Sequence, residues 1–389
     1  MNSHTLKPGA IIIEGHVQGL SLARTLGEKG IPVYVVDKRN CVARYSRYSH
    51  KFFICPDFKD DAFAEFLLQL AKDENLNGWI LLPSNDHAVI TLSRNRKKLE
   101  EHYKMLVPEF NIIELIYNKV NLLNSASELG VPIPSTHCFT DTNTDDLTLK
   151  FPVITKGKHG LAFYGAIKKK ALIANSKVEL EEQLKLIEQE YTLGDTFTQS
   201  VIPFDGTNKT ISFTAFSEVG EIKAFWMGAK LREHPIQFGT ATLAESVMVP
   251  ELLDLSKKLI KHFGYSGVCE IEFLKDPSDN QFKLIEINAR TWLWVGLAKA
   301  CGVDYGLYIY NYLNGIINNY PNEFKVGVKW TNSLTDTVYS LLAFKKGLLT
   351  IKNYLKSMKG ERVGALYYKK DIKPMFAYAL MMFSFLKKR

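Results

Sequence analysis

Glu270, Glu272, Glu286, Asn288 and Arg290 fall on even positions within one short stretch, residues 267–290, reading GVCEIEFLKDPSDNQFKLIEINAR. Two alternating runs, VCEIEFL and QFKLIEIN, flank the turn formers Asp276-Pro277-Ser278-Asp279-Asn280, which predicts a β-hairpin with a longer loop. Pairing that is symmetric about Asp279 sets Glu272 opposite Glu286 and Glu270 opposite Asn288. Those four side chains then share one face, while Ile271, Phe273, Ile285 and Ile287 form the apolar other. Like charges directly across a strand pair repel. A divalent cation between them removes that penalty, and Mg²⁺ favours one or two carboxylates completed by phosphate oxygens. The plainer reading of the same pattern is an amphipathic hairpin whose acids meet water, since E-x-N on a strand is not rare.

A chain of 389 residues has room for two or three domains and a substantial core to position such a hairpin. Hydrophobic content of 46% and charged content of 23% belong to a folded soluble protein rather than a disordered one. The five cysteines (Cys41, Cys55, Cys138, Cys269, Cys301) are scattered singly, with no C-x-x-C pair. That pattern suits a reducing compartment and argues against a disulfide scaffold or a structural zinc. The stretch MNSHTLKPGAIIIEG lacks a basic region followed by a long apolar run, so no signal peptide is expected and the cytoplasm is the default location. The net charge of +8 is concentrated at one end: residues 340–389 hold twelve Lys/Arg against Glu361 and Asp371. Residues 1–339 are therefore slightly acidic, and nothing in them calls for a nucleic-acid partner.

Residues 10–37 read as strand, amphipathic helix and strand, the opening unit of a doubly wound α/β sheet. Gly15 and Gly19 do not make a G-x-G-x-x-G fingerprint, so dinucleotide binding is a weak reading even with Asp37 about 20 residues on. Further elements are expected as a helix at 60–73, the strand GWILLPS, a helix near 86–102 and the strand MLVP. Glu14, Asp37 and Asp86 lie at strand carboxyl ends, where open α/β sheets bind ligands; Asp86 equally suits a helix N-cap. The helix 119–131 closes at Gly130, ahead of the strand FPVITKGK, a loop with Gly157, Gly160 and Gly165, a strand around 164–169 and a charged helix 177–190. TFTQSVI enters a turn at 203–206, and KTISFTAFSEVGEIKAFWMGAKLRE is an antiparallel hairpin turning at Val219-Gly220. The helix PELLDLSKKLIKHFG then leads to the acidic hairpin.

This order of pieces resembles the ATP-grasp superfamily of carboxylate-activating ligases over about residues 10–320, and within it the predicted ATP-dependent carboligases that are similar to carbamoyl-phosphate synthase. The segments that carry the resemblance are GHVQGLSLARTLGEKGIPVYVVD, NKVNLLNSASELGVPIPST, FPVITKGK, TQSVIPFDG, KLREHPIQFGTATLAESV, GYSGVCEIEFLKD and FKLIEINAR. It implies an α/β class with α+β character in the ATP-binding part. A doubly wound domain at 1–118 would precede a two-subdomain ATP-grasp fold at 119–325, divided between 197 and 198, with a basic C-terminal extension at 326–389.

The resemblance also implies roles. Lys119 and Lys156 match lysines on nucleotide phosphates, and 157–165 takes the place of the glycine-rich loop that folds over them, with fewer glycines than usual. Gln199, Ser200, Val201 and Ile202 match the segment whose backbone meets the adenine edge. Asp205 falls near the acid that accepts from ribose, although an Asp beside Gly206 also suits a turn. Glu272, Glu286 and Asn288 match the ligands of Mg²⁺, which Mn²⁺ could replace, and Arg290 matches an arginine at the transferred phosphate. Lys230 and Arg232 would aim into the same cleft ahead of a Gly/Thr loop, Gly239-Thr240-Ala241-Thr242, and bind substrate or phosphate.

The implied chemistry is transfer of the γ-phosphoryl of ATP to a carboxylate, giving an acyl phosphate that an amine attacks, a reaction that asks chiefly for positioning and charge stabilisation. Small-molecule acid and amine substrates follow, with cell-envelope polysaccharide or peptide assembly as one setting. A non-catalytic ATP-binding module and a bicarbonate-using enzyme of the carboxylase or carbamoyl-phosphate type are the alternatives. A homodimer is compatible with all three. The segment MFAYALMMFSFL at 375–386 is too short to span a bilayer; it suits a helix docked on the protein body or an interfacial anchor at the inner membrane face.

Overall fold

In the computed structural model, which describes residues 8–145, 147–234 and 239–386, three sheets carry the fold. The first is built from β1 (Ala10–Ile13), β2 (Val33–Asp37), β3 (Lys51–Ile54), β4 (Trp79–Pro83) and β5 (Tyr103–Met105), in the order β3-β2-β1-β4-β5, with every pair parallel. The apolar run Ala10–Ile13 is fully buried because helices cover both faces of such a sheet. Gly19 has a packing role. A Cβ there would meet the Glu14 carbonyl oxygen at 2.3 Å, so only glycine lets the helix Val17–Gly27 come this close to the end of β1.

A smaller sheet, in the order β6-β9-β7-β8, contains β6 (Thr136–His137), β7 (Val153–Gly157), β8 (Leu172–Ala174) and β9 (Thr196–Ser200). It has its own apolar core, in which Val153, Phe163 and Ala174 pack against Leu180, Leu184 and Ile187 of the helix Lys177–Glu190. Most of the other buried hydrophobic residues form one continuous core beneath the first and third sheets. The small sheet is thus a separately cored unit beside a common base.

The third sheet has the order β14-β13-β10-β11-β12-β15-β16. Its strands are β10 (Thr210–Glu218), β11 (Glu221–His234), β12 (Thr240–Ser246), β13 (Gly267–Lys275), β14 (Phe282–Asn288), β15 (Lys329–Thr331) and β16 (Arg362–Gly364). Val219 and Gly220 both take positive φ, 47° and 80°, as a two-residue primed turn between β10 and β11 requires.

Four local expectations are corrected. Residues 157–165 are not a loop, and no strand follows at 164–169: Gly160–Ile167 is a helix. Its LAFYGAI sequence contains good helix formers, and Phe163 buries fully in the small core. Thr240–Thr242 lies in β12 rather than in a Gly/Thr loop, while residues 235–238 before it lie outside the described residues. The helix expected near 86–102 breaks at Asn95 into Asp86–Arg94 and Arg96–Leu99.

The extension expected at 326–389 supplies β15 and β16 to the largest sheet, and its described part, through residue 386, then docks on elements around the first sheet. Arg24 and Asp371 form an ion pair at 3.0 Å with side chains 9% and 1% exposed; Ser46 Oγ and Arg47 N also donate to Asp371. The last helix, Lys373–Leu386, packs Met375, Tyr378 and Met381 against the core, so docking on the protein body is the observed placement of these residues. Among the described residues no helix is long and apolar enough to cross a membrane.

Candidate functional site

The acidic hairpin pairs as its alternation demands. Glu270 is the register partner of Asn288 and Glu272 that of Glu286. A shift then follows: Phe273 faces Leu284, which is fully buried, and Ile285 is left half-buried as the extra residue of a bulge instead of joining the apolar face. The bulge spares the polar end, so Glu270, Glu272, Glu286 and Asn288 share one face as expected.

Each cross-strand carboxylate is met by a lysine from another element. Lys119, at the start of the helix Lys119–Glu128, reaches Glu286 at 2.8 Å. Lys230, on β11, reaches Glu272 at 2.8 Å, with both side chains only 11–12% exposed. Lys119 and neighbouring cations hold the Glu286 carboxyl far below the usual carboxylate range against the opposing effect of burial. Burial opposes the charge of Lys230, but Glu272 and Glu270 outweigh it and keep the ammonium protonated above the usual lysine range. Glu270 is buried, accepts from Ser212 Oγ at 2.7 Å and from Asn288 Nδ2 at 3.1 Å, and is pushed up to about 8 by burial and by Glu272. A proton on Glu270 relieves the repulsion between two acids on the same strand face.

Lys156, on β7 of the small sheet, completes the group from the other side. Burial and the nearby Lys119 lower its ammonium to about 8, with Glu286 pulling the other way. Its Nζ has no hydrogen-bond or ion-pair partner among the described residues. Lys119 N donates to Lys158 O at 3.0 Å, which fastens the helix to the end of β7. The junction of the two sheets therefore gathers three lysines and the carboxylates of Glu272 and Glu286.

Arg290 is oriented by the first domain. It forks onto Asp86, Nε to Oδ1 at 2.6 Å and Nη2 to Oδ2 at 3.1 Å, and Tyr117 Oη donates to the same carboxylate at 3.0 Å. The expected N-cap at Asp86 falls instead to Asn85, which accepts from Ala88 N at 2.8 Å. Glu14 closes this corner with φ of 70°, a strained value for a residue with a side chain, and burial followed by Asp37 raises its carboxyl to about 7. Asp37 accepts from Gly15 N at 2.9 Å.

Two expected contacts are not brought here. Arg232 turns away from the carboxylates and forks onto Asp336, Nε to Oδ1 at 2.8 Å and Nη2 to Oδ2 at 2.6 Å, with its guanidinium 4.8 Å from the Tyr354 ring. The register of β11 with β12 shifts between Lys230 and Arg232, which breaks the alternation that would have kept them on one face. Asp205 accepts from Thr207 N at 2.7 Å and Asn208 N at 2.8 Å, so it serves its own turn. A cavity of about 420 Å³ beside it is lined by Ile211, Ala229 and Glu245, register partners facing the side of the sheet opposite Ser212, Lys230 and Glu272.

At 199–202 the backbone is partly committed. Ser200 N donates to Ser135 O and Val201 N to Pro152 O, while Ile202 N has no partner among the described residues. Gln199 is buried and donates through Nε2 to Thr136 Oγ1 at 2.9 Å. The sequence places Glu270 on the polar face and Asp86 at a ligand-binding strand end or N-cap, but not the contacts of Glu270 with Ser212 and of Asp86 with Arg290. The E-x-E spacing and the position of Asp86 outside the end of β4 are the signals that point to these two residues.

Among the described residues no group of three or more His, Cys, Asp or Glu side chains is gathered as a ready metal cage. The donor set nevertheless fits Mg²⁺: two carboxylates and the Asn288 amide supply oxygen ligands, lysines neutralise the carboxylates, and the ion needs phosphate oxygens to complete its shell.

The family model described as carbamoyl-phosphate synthase L chain, ATP binding domain, matches residues 237–305. D-aspartate ligase from Enterococcus faecium is 24% identical over 263 residues, 64% of this chain and 62% of the ligase, so the chain spans less than two thirds of that relative's length. Among solved structures, N5-carboxyaminoimidazole synthetase from Staphylococcus aureus shares 19% identity with a TM-score of 0.62, covering 84% of this chain and 82% of that one. Biotin carboxylase from Campylobacter jejuni, solved as a beta-gamma-ATP complex, shares 16% identity with a TM-score of 0.65 over 84% and 75% of the two chains. These likenesses support the resemblance read from the sequence, and this chain shares the fold of those two solved structures.

Proposed function

We propose that this chain is an ATP- and magnesium-dependent ligase that activates a small-molecule carboxylate as an acyl phosphate for attack by an amine. The observation that carries the reading is the register-opposed Glu272 and Glu286, each neutralised by a lysine from a different element, with Asn288 beside them. An isolated amphipathic hairpin has no use for Lys119 and Lys230 at its acids. Glu272, Glu286 and Asn288 would hold the magnesium ion, which supplies charge neutralisation at the phosphates. Lys156, on the opposite sheet and without an ion-pair partner among the described residues, is placed to meet phosphate oxygens, and Lys119 and Lys230 stand beside the same carboxylates, where they would face those phosphates too. The Ile202 N–H is the uncommitted donor at the sheet junction and suits the adenine edge. Arg290, held by Asp86, would steady the transferred phosphoryl group from the side of the first domain. Arg232 and Asp205 are left out of this assignment because Asp336 and the 205–208 turn already engage them.

The similarity to D-aspartate ligase supports an amino acid as one substrate, and Glu14, at the carboxyl end of β1, suits an ammonium-bearing molecule. Screening acid–amine pairs, amino acids first, for ADP release with mass spectrometry of the product tests the reading. Amine-dependent ADP release with an amide product supports it. Release stimulated by bicarbonate alone points to the carboxylase alternative, and tight ATP binding without release under any pair points to a binding module.

A further inference from the structure

The C-terminal segment contains a helix whose amphipathicity is inverted. In Ser333–Lys345 the positions turned into the protein include Asp336 and Ser340, 1% and 3% exposed, while Val338, Leu341 and Leu342 are 43–55% exposed. A helix that meets only water on its outer side does the reverse. A turn with Leu348 61% exposed leads to the helix Ile351–Ser357, which buries no residue and shows Ile351 and Leu355 at 69% and 58% exposure. Phe344 and Tyr354 meet ring to ring at 5.8 Å between the two helices, so the leucines and the isoleucine are left over on the outside. Exposed lysines at 345, 346, 352, 356 and 359 border them, and Asp336, already engaged by Arg232, is the only acid between 333 and 359. Lys352 and Lys356 follow Ile351 and Leu355 by one residue each, which sets a cationic strip alongside the apolar one.

We propose that this helical hairpin is an interfacial anchor that lays Leu341, Leu342, Leu348, Ile351 and Leu355 into the headgroup region of an anionic bilayer. Apolar residues flanked by lysines are what such a surface selects, through buried area and attraction to anionic lipid together. A second copy of the chain is a poorer occupant, because a two-fold contact would bring the same five lysines face to face. The hairpin is fastened to the carboxylate-bearing sheet by the Arg232–Asp336 fork and by the stacked rings of His234 and Tyr339, centroids 3.5 Å apart. Membrane contact would therefore hold that sheet at a fixed height above the lipid. The anchor is distinct from the last helix, which docks on the first domain, and does not depend on ligase chemistry.

Co-sedimentation of the full chain with vesicles of phosphatidylcholine alone, and of phosphatidylcholine mixed with phosphatidylglycerol, tests it. The wild type is expected to pellet with the anionic vesicles only, and less as salt rises from about 0.1 M to about 1 M and the Debye length shrinks from ~10 Å to ~3 Å. The triple variant Leu341→Glu, Ile351→Glu, Leu355→Glu, and separately the pair Lys352→Glu, Lys356→Glu, should weaken binding at least roughly tenfold. Their melting temperatures should match the wild type, since every altered side chain is exposed. Wild-type protein that stays in the supernatant with anionic vesicles, or a triple variant that pellets like the wild type, overturns the proposal. So does a concentration-dependent dimer in the ultracentrifuge that the triple variant dissociates while vesicles capture neither form, which would assign the face to a second copy.

Discussion

The acidic hairpin and the C-terminal segment belong to the same seven-stranded sheet, yet they were built by different rules. In the hairpin, alternation and a turn specify the register locally, and the polar face is intact. In the segment 326–386, short strands and a buried ion pair take their places only because Arg24, Ser46 and Arg232 are already there to receive them. Local pattern built the chemistry, and distant complementarity built the support.

The largest stability effect is expected at Asp371. Asp371→Ala leaves the buried Arg24 with backbone carbonyls but no counter-charge and strips the partners of Ser46 Oγ and Arg47 N, at a cost of about 3 kcal/mol. Urea unfolding measures it, and a variant within about 0.5 kcal/mol of wild type would show that the segment is only loosely held. Arg232→Ala comes next, at about 2–3 kcal/mol, because Asp336 is 1% exposed and keeps only the Thr242 hydroxyl and its own backbone surroundings. Unchanged melting with turnover lost would instead return Arg232 to the catalytic set.

Smaller effects belong to the site itself. Lys156 loses its proton at lower pH than a free lysine, since burial and Lys119 favour the neutral amine. Its charge is about nine-tenths present at pH 7 and about nine-tenths gone at pH 9, so nucleotide affinity measured by titration calorimetry should fall roughly tenfold between those values. Lys156→Arg should flatten that dependence, and a variant with the wild-type slope would assign the pH effect elsewhere. Glu270→Gln should change turnover by less than about threefold, because the native side chain already holds a proton near neutrality and glutamine keeps its shape and its acceptor oxygen. Complete loss of activity in Glu270→Gln would make Glu270 a metal ligand in its own right.

How far the sequence could be read follows from the same contrast. The inner strands of the parallel first sheet were legible because they are buried and appear as apolar runs, AIII and VYVVD, whereas the partly exposed edge strand β3 was not. The register of Glu272 with Glu286 was legible from alternation alone, but the bulge at Ile285 was not, since it depends on Leu284 filling the core opposite Phe273. Residues 157–165 were misjudged because glycines at 157, 160 and 165 suggested a loop, whereas Phe163 had a core to enter. Lys230 and Arg232 looked equivalent two residues apart until the irregular register of β11 with β12 separated them. Asp86 illustrates the reverse error: a capping role satisfied the local pattern, while its partner Arg290 lay 204 positions away.

The central claim is that the paired carboxylates of β13 and β14 bind nucleotide through magnesium. Calorimetric titration of ATP, with and without Mg²⁺, into the wild type and into the double variant Glu272→Gln, Glu286→Gln tests it most directly. Magnesium-dependent binding in the wild type that disappears in a folded double variant is the expected result. Equal ATP affinity in both proteins, unaffected by magnesium, would contradict the account.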